Sequence, residues 1–256
     1  MNANIKKNAE LNESTFCSLW TCHIEIDHCA DVFINERFEN DYFFNRLSNI
    51  HCNHLDIIID KASKIFLERG MACYVYVDED NDRLERLLSH IGFAFVDTLQ
   101  VLRMPIQSVI FESHNIIVER ISRDSLPIWI DIFCKSFGTI EWQDEVERVL
   151  ERHFKELTLL LSSIQDNNSK KLPIGCAALL DRHNLLGVYC LGTIPAFRGK
   201  GSAKKLLEFS LQVALEEGVD SVTLQTFTNE GFIRFYRKFG FDLLCKKKIY
   251  ALARYH

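Results

Sequence analysis

Between Thr193 and Leu207 the sequence reads TIPAFRGKGSAKKLL. Arg198, Lys200, Lys204 and Lys205 surround Gly199 and Gly201, where a β-like apolar run gives way to an amphipathic one. Glycine lets the main chain approach a ligand closely. The first turn of a helix leaves N–H groups without intrahelical partners and carries partial positive charge. Together these make a cradle for a phosphate or pyrophosphate held through backbone amides. A plain solvated loop has the same composition, and solvated helix positions suffice for the two later lysines. The order strand, Pro195, glycines, helix favours the cradle. Further along, Asn229 and Tyr236 share an amphipathic segment with Phe232, Phe235 and Phe239. A phenol of pKa ~10 can donate a hydrogen bond or a proton; a core aromatic explains the same spacing.

The elements that must position these residues follow from periodicity and turn residues. Strands are expected at Ile116–Ile121, Thr158–Ile164, Pro173–Leu180, Leu185–Ile194 and Val219–Phe227, with QDNNSKK and DRHN as turns. Helices are expected at Ser125–Phe137, Trp142–Leu157, Gly201–Glu217 and Asn229–Phe239. Leu206, Leu207, Leu211, Ala214 and Leu215 make the apolar face of the third, and Gly240 stops the fourth. Phe241–Ala253 is a closing strand or hairpin. Its Lys246–Lys248 suits an exposed edge guarded against aggregation.

The chain also repeats itself. GMACYVYVDEDNDRLERLLSHIGF from Gly70 matches GVDSVTLQTFTNEGFIRFYRKFGF from Gly218 without a gap, at an offset of 148. In that register Asn81 meets Asn229, Leu84 meets Phe232 and Leu88 meets Tyr236. The preceding helices, Asn53–Gly70 and Gly201–Gly218, align too. So long a period points to duplicated domains, not a solenoid of ~20–50-residue units. Arg198–Ala203 aligns with Ile50–Leu55, IHCNHL, which has neither the glycines nor the basic residues. A boundary is expected in Met104–Asn115, giving domains 1–107 and 108–256.

Bulk properties narrow the function classes. With 30 basic and 35 acidic residues the formal charge is −5, no footprint for nucleic acid or an anionic membrane. Charge is uneven: ten basic and 17 acidic residues up to position 107, against 20 and 18 beyond it. No export signal follows MNANIKKNAELNE, and no apolar run approaches the ~20 residues of a membrane span. Nine dispersed cysteines without a C-x-x-C suggest reduced thiols and a cytoplasmic location. The clusters TCHIEIDHC (Thr21–Cys29) and HCNH (His51–His54) match no standard zinc spacing, so no metal is expected. DEDND (Asp78–Asp82) reads as a solvated turn more readily than as a lure for a cationic substrate.

The pattern L-x-T-x-P-x-x-R-G-K-G-x-A-x-x-L-L over Leu191–Leu207 resembles the acyl-CoA-binding motif of the GNAT superfamily of N-acetyltransferases, with Arg198, Gly201 and Ala203 at its core. Asn229, Tyr236, Gly240 and Phe241 meet the family's second motif. The resemblance covers about residues 116–254 and extends to 1–107 mainly through the repeat. It implies a mixed α/β (α+β) fold of two tandem GNAT-like domains, each a mostly antiparallel twisted sheet flanked by helices. The first is a degenerate copy without the pyrophosphate loop. Backbone groups of Leu191, Gly192 and Thr193 would pair with the pantetheine arm, on a strand splayed from its neighbour. Amides of Arg198, Gly199, Lys200, Gly201, Ser202 and Ala203 would hold the pyrophosphate. Asn229 would lie beside the pantetheine, and Tyr236 would protonate the leaving thiolate. Thr193 replaces the family's usual aliphatic residue, a change that backbone contacts survive.

The implied activity is transfer of an acetyl group from acetyl-CoA to a primary amine, small-molecule or peptide, by direct attack and without metal. The general base stays open: the strand LLGVYCLGT has no acid, Tyr189 and Cys190 are polar enough to hold a water but read better as packed residues, and Glu141 and Trp142 could bind an amine but read better as a solvated helix start. A non-catalytic acyl-CoA-binding sensor or partner-binding module is the rival reading. Acceptor and oligomeric state are not legible.

Overall fold

Apolar alternation and helical periodicity place most elements where the sequence suggests. The structure, a computed structural model, describes residues 2–106, 115–165 and 171–252. Along the first half run α1 (Asn2–Trp20), β1 (Cys22–Ile26), β2 (Ala30–Ile34), β3 (Arg46–Ser48), α2 (Leu55–Leu67), β4 (Tyr74–Asp78), α3 (Asp82–His90) and β5 (Phe93–Pro105). Then come β6 (Ile116–Arg120), α4 (Leu126–Phe137), α5 (Gln143–His153), β7 (Thr158–Gln165), β8 (Lys171–Arg182), β9 (Leu185–Thr193), α6 (Ser202–Glu217), β10 (Ser221–Phe227), α7 (Ile233–Phe239) and β11 (Asp242–Leu252). Most of the QDNNSKK turn and Ala253 lie outside the described residues.

The chain divides into two compact units, and each draws on both halves of the sequence. Unit 1 gathers Met1–Glu13, Arg103–Gln225 and Phe239–Asp242. Unit 2 gathers Ser14–Leu102, Thr226–Lys238 and Leu243–His256. The expected cut at 107/108 itself falls on residues outside those described.

In unit 1 the strand order is β6-β7-β8-β9-β10. The first four pair antiparallel and β10 joins β9 in parallel. Helix α6 lies against β6–β9 and α4 against β7–β9. α6 buries Leu206, Leu207, Leu211, Val213 and Ala214, each leucine contributing about 1.5–3 kcal/mol. Leu215, expected on this face, is 49% exposed. The Trp129 indole donates to Ala177 O at 3.2 Å and ties α4 to β8. From the N-terminal segment, Asn12 is fully buried: its Nδ2 donates toward Leu180 O, Arg182 O and Leu185 O at 3.0–3.2 Å, and its Oδ1 accepts from the Tyr189 hydroxyl at 2.7 Å.

In unit 2 the order is β1-β2-β3-β4-β11-β5. β1/β2, β2/β3 and β4/β11 are antiparallel, while β3 and β4 are parallel at Leu47↔Val75. Ile58, Ile59, Ala62 and Phe66 of α2 share one core with Leu84 and Leu88 of α3 and with Val32, Leu47, Val75 and Val77 of the sheet.

The 148-residue offset reappears element by element. α2, β4, α3 and β5 correspond to α6, β10, α7 and β11, and the parallel pair β3/β4 corresponds to β9/β10. One strand departs from a simple tandem: β11, from the second repeat, pairs with β4 of the first, from Lys247↔Asp78 to Ala251↔Tyr74. Lys246–Lys248 therefore lies on no edge. β11 is flanked by β4 and β5, Lys247 is buried, and Lys248 Nζ meets Glu85 at 2.5 Å. The helix expected over Asn229–Phe239 is two pieces, because Gly231 at φ +73° ends a single 3-10 turn, Thr228–Glu230, before α7 begins. In the DEDND turn, Asn81 Oδ1 accepts from Leu84 N–H at 3.2 Å and caps α3.

Candidate active site

Strand β9 enters the candidate site fully paired and leaves it paired on one side. Its parallel ladder with β10 runs over Val222↔Leu186, Thr223↔Gly187 and Leu224↔Val188 and ends there. On the other side β8 stays with it to Gly175↔Thr193. Opposite Cys176–Ala178 the register slips, so that β9 holds one extra residue, and Cys190 takes φ +52° at this bulge. The segment Leu191–Thr193 thus departs from the β10 ladder in the manner of a splayed strand.

Beyond β9, Pro195–Phe197 forms one 3-10 turn and α6 starts at Ser202. Gly199 and Gly201 have φ of +77° and +94°, which side chains rarely tolerate. A Cβ on Gly199 would meet nothing within 4 Å, so the conformation alone requires glycine there and the surface around it is open. Arg198, Gly199 and Lys200 are exposed. Gly201 gives α6 no side-chain cap, and the first intrahelical bond is Lys205 N–H to Gly201 O at 3.0 Å. The N–H groups of Ser202 and Ala203 therefore lie ahead of the helical ladder, beside the positive end of the helix.

The basic side chains divide by role. The Arg198 guanidinium donates to Thr193 O at 3.2 Å and to Ser136 O at 2.9 Å, bracing the loop against β9 and the end of α4. Lys204 and Lys205 face the buried Glu208 at 3.9 and 2.7 Å. Lys200 Nζ lies 4.9 Å from the centre of the Phe197 ring. Under the loop the packing is tight. Ser202 Oγ and Ser162 Oγ are 2.7 Å apart, and Gly175 leaves room for both. Gly192 is equally constrained, since a Cβ there would meet Ser136 Cβ at 2.7 Å and Phe137 Cε2 at 2.9 Å.

Asn229 and Tyr236 belong to unit 2. Tyr236 is the buried member of its helix at 8% exposure, while Phe232 and Phe235, expected on the same face, are 48% and 39% exposed. Burial pushes the Tyr236 phenol above its usual range, with Glu230 adding to the effect, so it stays protonated at neutral pH. Asn229 Nδ2 donates to Tyr42 Oη at 3.3 Å, and Tyr42 Oη donates to Asp97 Oδ2 at 3.2 Å. Neither Tyr42 nor Asp97 was legible as a site residue, since each becomes relevant only through a contact more than fifty positions away. Tyr189, a candidate holder of a water, instead spends its hydroxyl on Asn12. Glu141 is exposed and Trp142 half-buried in a single turn, Ile140–Trp142.

The comparison with known families takes in this stretch of sequence. Residues 126–241 match the acetyltransferase (GNAT) family. The match takes in β9, the loop, Asn229 and Tyr236. GNAT structures also share the fold of the longer chain. A GCN5-related N-acetyltransferase from Kribbella flavida aligns with a TM-score of 0.71 at 14% identity, over 97% of this chain and 96% of its own. One from Sphaerobacter thermophilus aligns with a TM-score of 0.70 at 15% identity, over 87% and 76%. A tandem GNAT protein from the clavulanic acid biosynthesis pathway aligns with a TM-score of 0.57 at 11% identity, over 80% and 74%. At such identities the likeness speaks to fold alone. No curated protein matches the sequence. The GNAT match supports acyl-CoA-dependent acetyl transfer in general. Among the described residues no group of three or more His, Cys, Asp or Glu is placed to hold a metal ion, and no helix is long and apolar enough to cross a membrane.

Proposed function

We propose that the protein is an N-acetyltransferase that moves an acetyl group from acetyl-CoA to a primary amine, carried by a small molecule or a peptide, by direct attack. The observation that carries the reading is the loop Arg198–Ala203: two left-handed glycines, an open surface and uncapped N–H groups, at the end of a strand that has left its ladder. These features fit a pyrophosphate and an extended arm. Acetyl-CoA, when bound, supplies an acyl group activated as a thioester.

The chain's own residues then have defined tasks. Amides of Gly199, Lys200, Gly201, Ser202 and Ala203 bind the pyrophosphate, while the Arg198 N–H, expected among them, donates to Pro195 O at 3.2 Å. Main-chain groups of Leu191, Gly192 and Thr193 bind and orient the arm, and amide donors there polarise the acyl carbonyl. Tyr236 Oη holds a proton for the departing sulfur. The first repeat, without the loop, is a degenerate copy that binds no CoA of its own. Nine free thiols suit a reducing compartment such as the cytoplasm.

Thermal unfolding with and without acetyl-CoA tests the reading. Ligand at ~100 times its dissociation constant should stabilise the protein by about 2.7 kcal/mol. Gly201→Glu, compared with its own ligand-free midpoint, should lose that shift. No shift at millimolar acetyl-CoA would sink the proposal. A sensor that binds acyl-CoA without turnover is the second reading, favoured by the absence of a carboxylate on β9 and by the engagement of Tyr189 with Asn12. Tyr236→Phe separates the two: an enzyme loses CoA release while keeping affinity, whereas a sensor shows no release to lose.

A further inference from the structure

We propose that Tyr42, oriented by Asp97, is a positioning residue that decides which end of the Asn229 amide faces the ligand. The inference rests on the acyl-CoA reading above. Its parts all lie in unit 2, and two of them come from the first repeat.

The turn that carries Asn229 is pinned on both sides. Thr228 Oγ1 donates to Thr98 O at 3.2 Å and accepts from Gln100 Nε2 at 2.8 Å. The Glu230 carboxylate accepts from Thr226 Oγ1 at 2.7 Å and from Phe227 N–H at 2.9 Å. These contacts hold the turn on either side of Asn229, whose exposed side chain meets Tyr42 Oη, and what remains to be set is which half-turn its amide takes there.

The hydrogen-bond inventory settles that half-turn. Asp97 is buried, and both of its carboxyl oxygens serve as acceptors. Its Oδ1 accepts from Thr98 N–H at 2.7 Å, and its Oδ2 faces Tyr42 Oη. A phenol has one hydrogen, so the hydrogen of Tyr42 goes to Asp97 and its lone pair faces Asn229. The amide must then present its NH₂ to Tyr42, which turns Oδ1 outward as an acceptor. Pantetheine carries amide N–H donors, the partners such an oxygen takes. The Tyr42 ring is itself held, edge-on to Phe227 with centroids 4.6 Å apart, and its carbonyl accepts from Tyr76 Oη at 3.0 Å. Burial first, with Asp97 adding, pushes the Tyr42 phenol up to about 12, so its hydrogen stays in place across the working pH range. At the equivalent position of the first repeat the same oxygen is spent inside the chain, since Asn81 Oδ1 caps α3.

The test is binding of acetyl-CoA, and of adenosine 3′,5′-bisphosphate as a probe without the pantetheine arm, to the full chain and to Tyr42→Phe and Asp97→Asn. Tyr42→Phe keeps the ring and removes the acceptor. It should weaken acetyl-CoA about three- to tenfold, the range of one neutral hydrogen bond, and leave the bisphosphate unchanged, while the ligand-free melting midpoint falls because the buried Asp97 Oδ2 loses its donor. Asp97→Asn lets the Tyr42 hydrogen turn toward Asn229 and should weaken acetyl-CoA in the same selective way. Equal weakening of both probes, or a Tyr42→Phe variant that binds acetyl-CoA within about twofold of the parent, would overturn the inference while the acyl-CoA reading stands. Failure of the parent to bind acetyl-CoA would overturn both.

Discussion

Gly175 is the point at which one added methyl group should reach the candidate site without touching a ligand. It lies on β8 beneath the start of α6. An alanine Cβ there would meet Gly192 O at 2.8 Å, Ser162 Oγ at 2.8 Å and Ser202 Oγ closer still. Two of these are hydroxyls that could rotate away, but they are the pair that hydrogen-bond to each other at 2.7 Å in a buried setting. The third is a backbone oxygen of β9 and can yield only if the strand moves. Overpacking of this kind costs about 1–3 kcal/mol, and loss of the serine pair adds about 1 kcal/mol. We therefore expect Gly175→Ala to lose about 2–4 kcal/mol. For a chain of this size that lowers the melting midpoint by roughly 4–16 °C. Since relief of the clash shifts Ser202 or Gly192, ligand-induced stabilisation by acetyl-CoA should fall as well. Gly175→Ala/Ser202→Ala removes the nearest obstacle and should recover part of the stability. The assay is urea denaturation with calorimetry, with and without ligand. A Gly175→Ala protein within about 0.5 kcal/mol of the parent and with the full ligand shift would refute the claim that this packing sets the loop.

Two further outcomes follow from buried polar groups. Asn12→Ala should destabilise the protein by about 2–4 kcal/mol by leaving Tyr189 Oη and carbonyls of the β8–β9 turn without their partner. Asn12→Asp should be worse, because the carboxylate oxygen that replaces Nδ2 would face three carbonyl oxygens while the other keeps the Tyr189 hydroxyl; equilibrium denaturation should give that order. The buried phenols predict alkaline sensitivity. Tyr42 is raised to about 12 and Tyr236 is raised too, so the folded state keeps protons that the unfolded chain sheds from pH ~10 upward. Stability is therefore fully present below pH ~10 and lost as pH rises through the folded values, by up to about 1.4 kcal/mol per pH unit for each phenol. Tyr236→Phe should flatten that slope in denaturation measured between pH 9 and about 11, and an unchanged slope would count against a buried, protonated Tyr236.

Local chemistry was the legible part of this sequence. The glycines at 199 and 201 announce positive φ, the apolar spacing of α6 announces a buried face, and the offset of 148 anticipates four matching elements in each repeat. What stayed hidden depends on distant partners. Strand periodicity names a strand but not its neighbour, so Lys246–Lys248 suited an edge until β11 was found between two strands. Asn12 looks like an ordinary polar residue of an N-terminal helix, yet it closes a turn some 170 positions away. Gly175 did carry a signal, since a glycine inside a strand often marks close approach by another backbone. Arg198 reads as a ligand-facing cation from its motif, and the structure commits its guanidinium to two carbonyls.

The position of β11 also bears on how the molecule comes into being. A ribosome delivers the chain from the N-terminus, so β4 and β5 emerge well over a hundred residues before the strand that pairs with β4. Until β11 has been translated, unit 2 has a vacancy in its sheet, and the exposed edge of β4 is open to other chains. Pairing across so long a separation is slow to form, and incomplete sheets invite misassembly. A gene split between the repeats would leave each product without strands that the other encodes. The two repeats thus depend on each other, with a strand translated late completing the sheet of the half translated first.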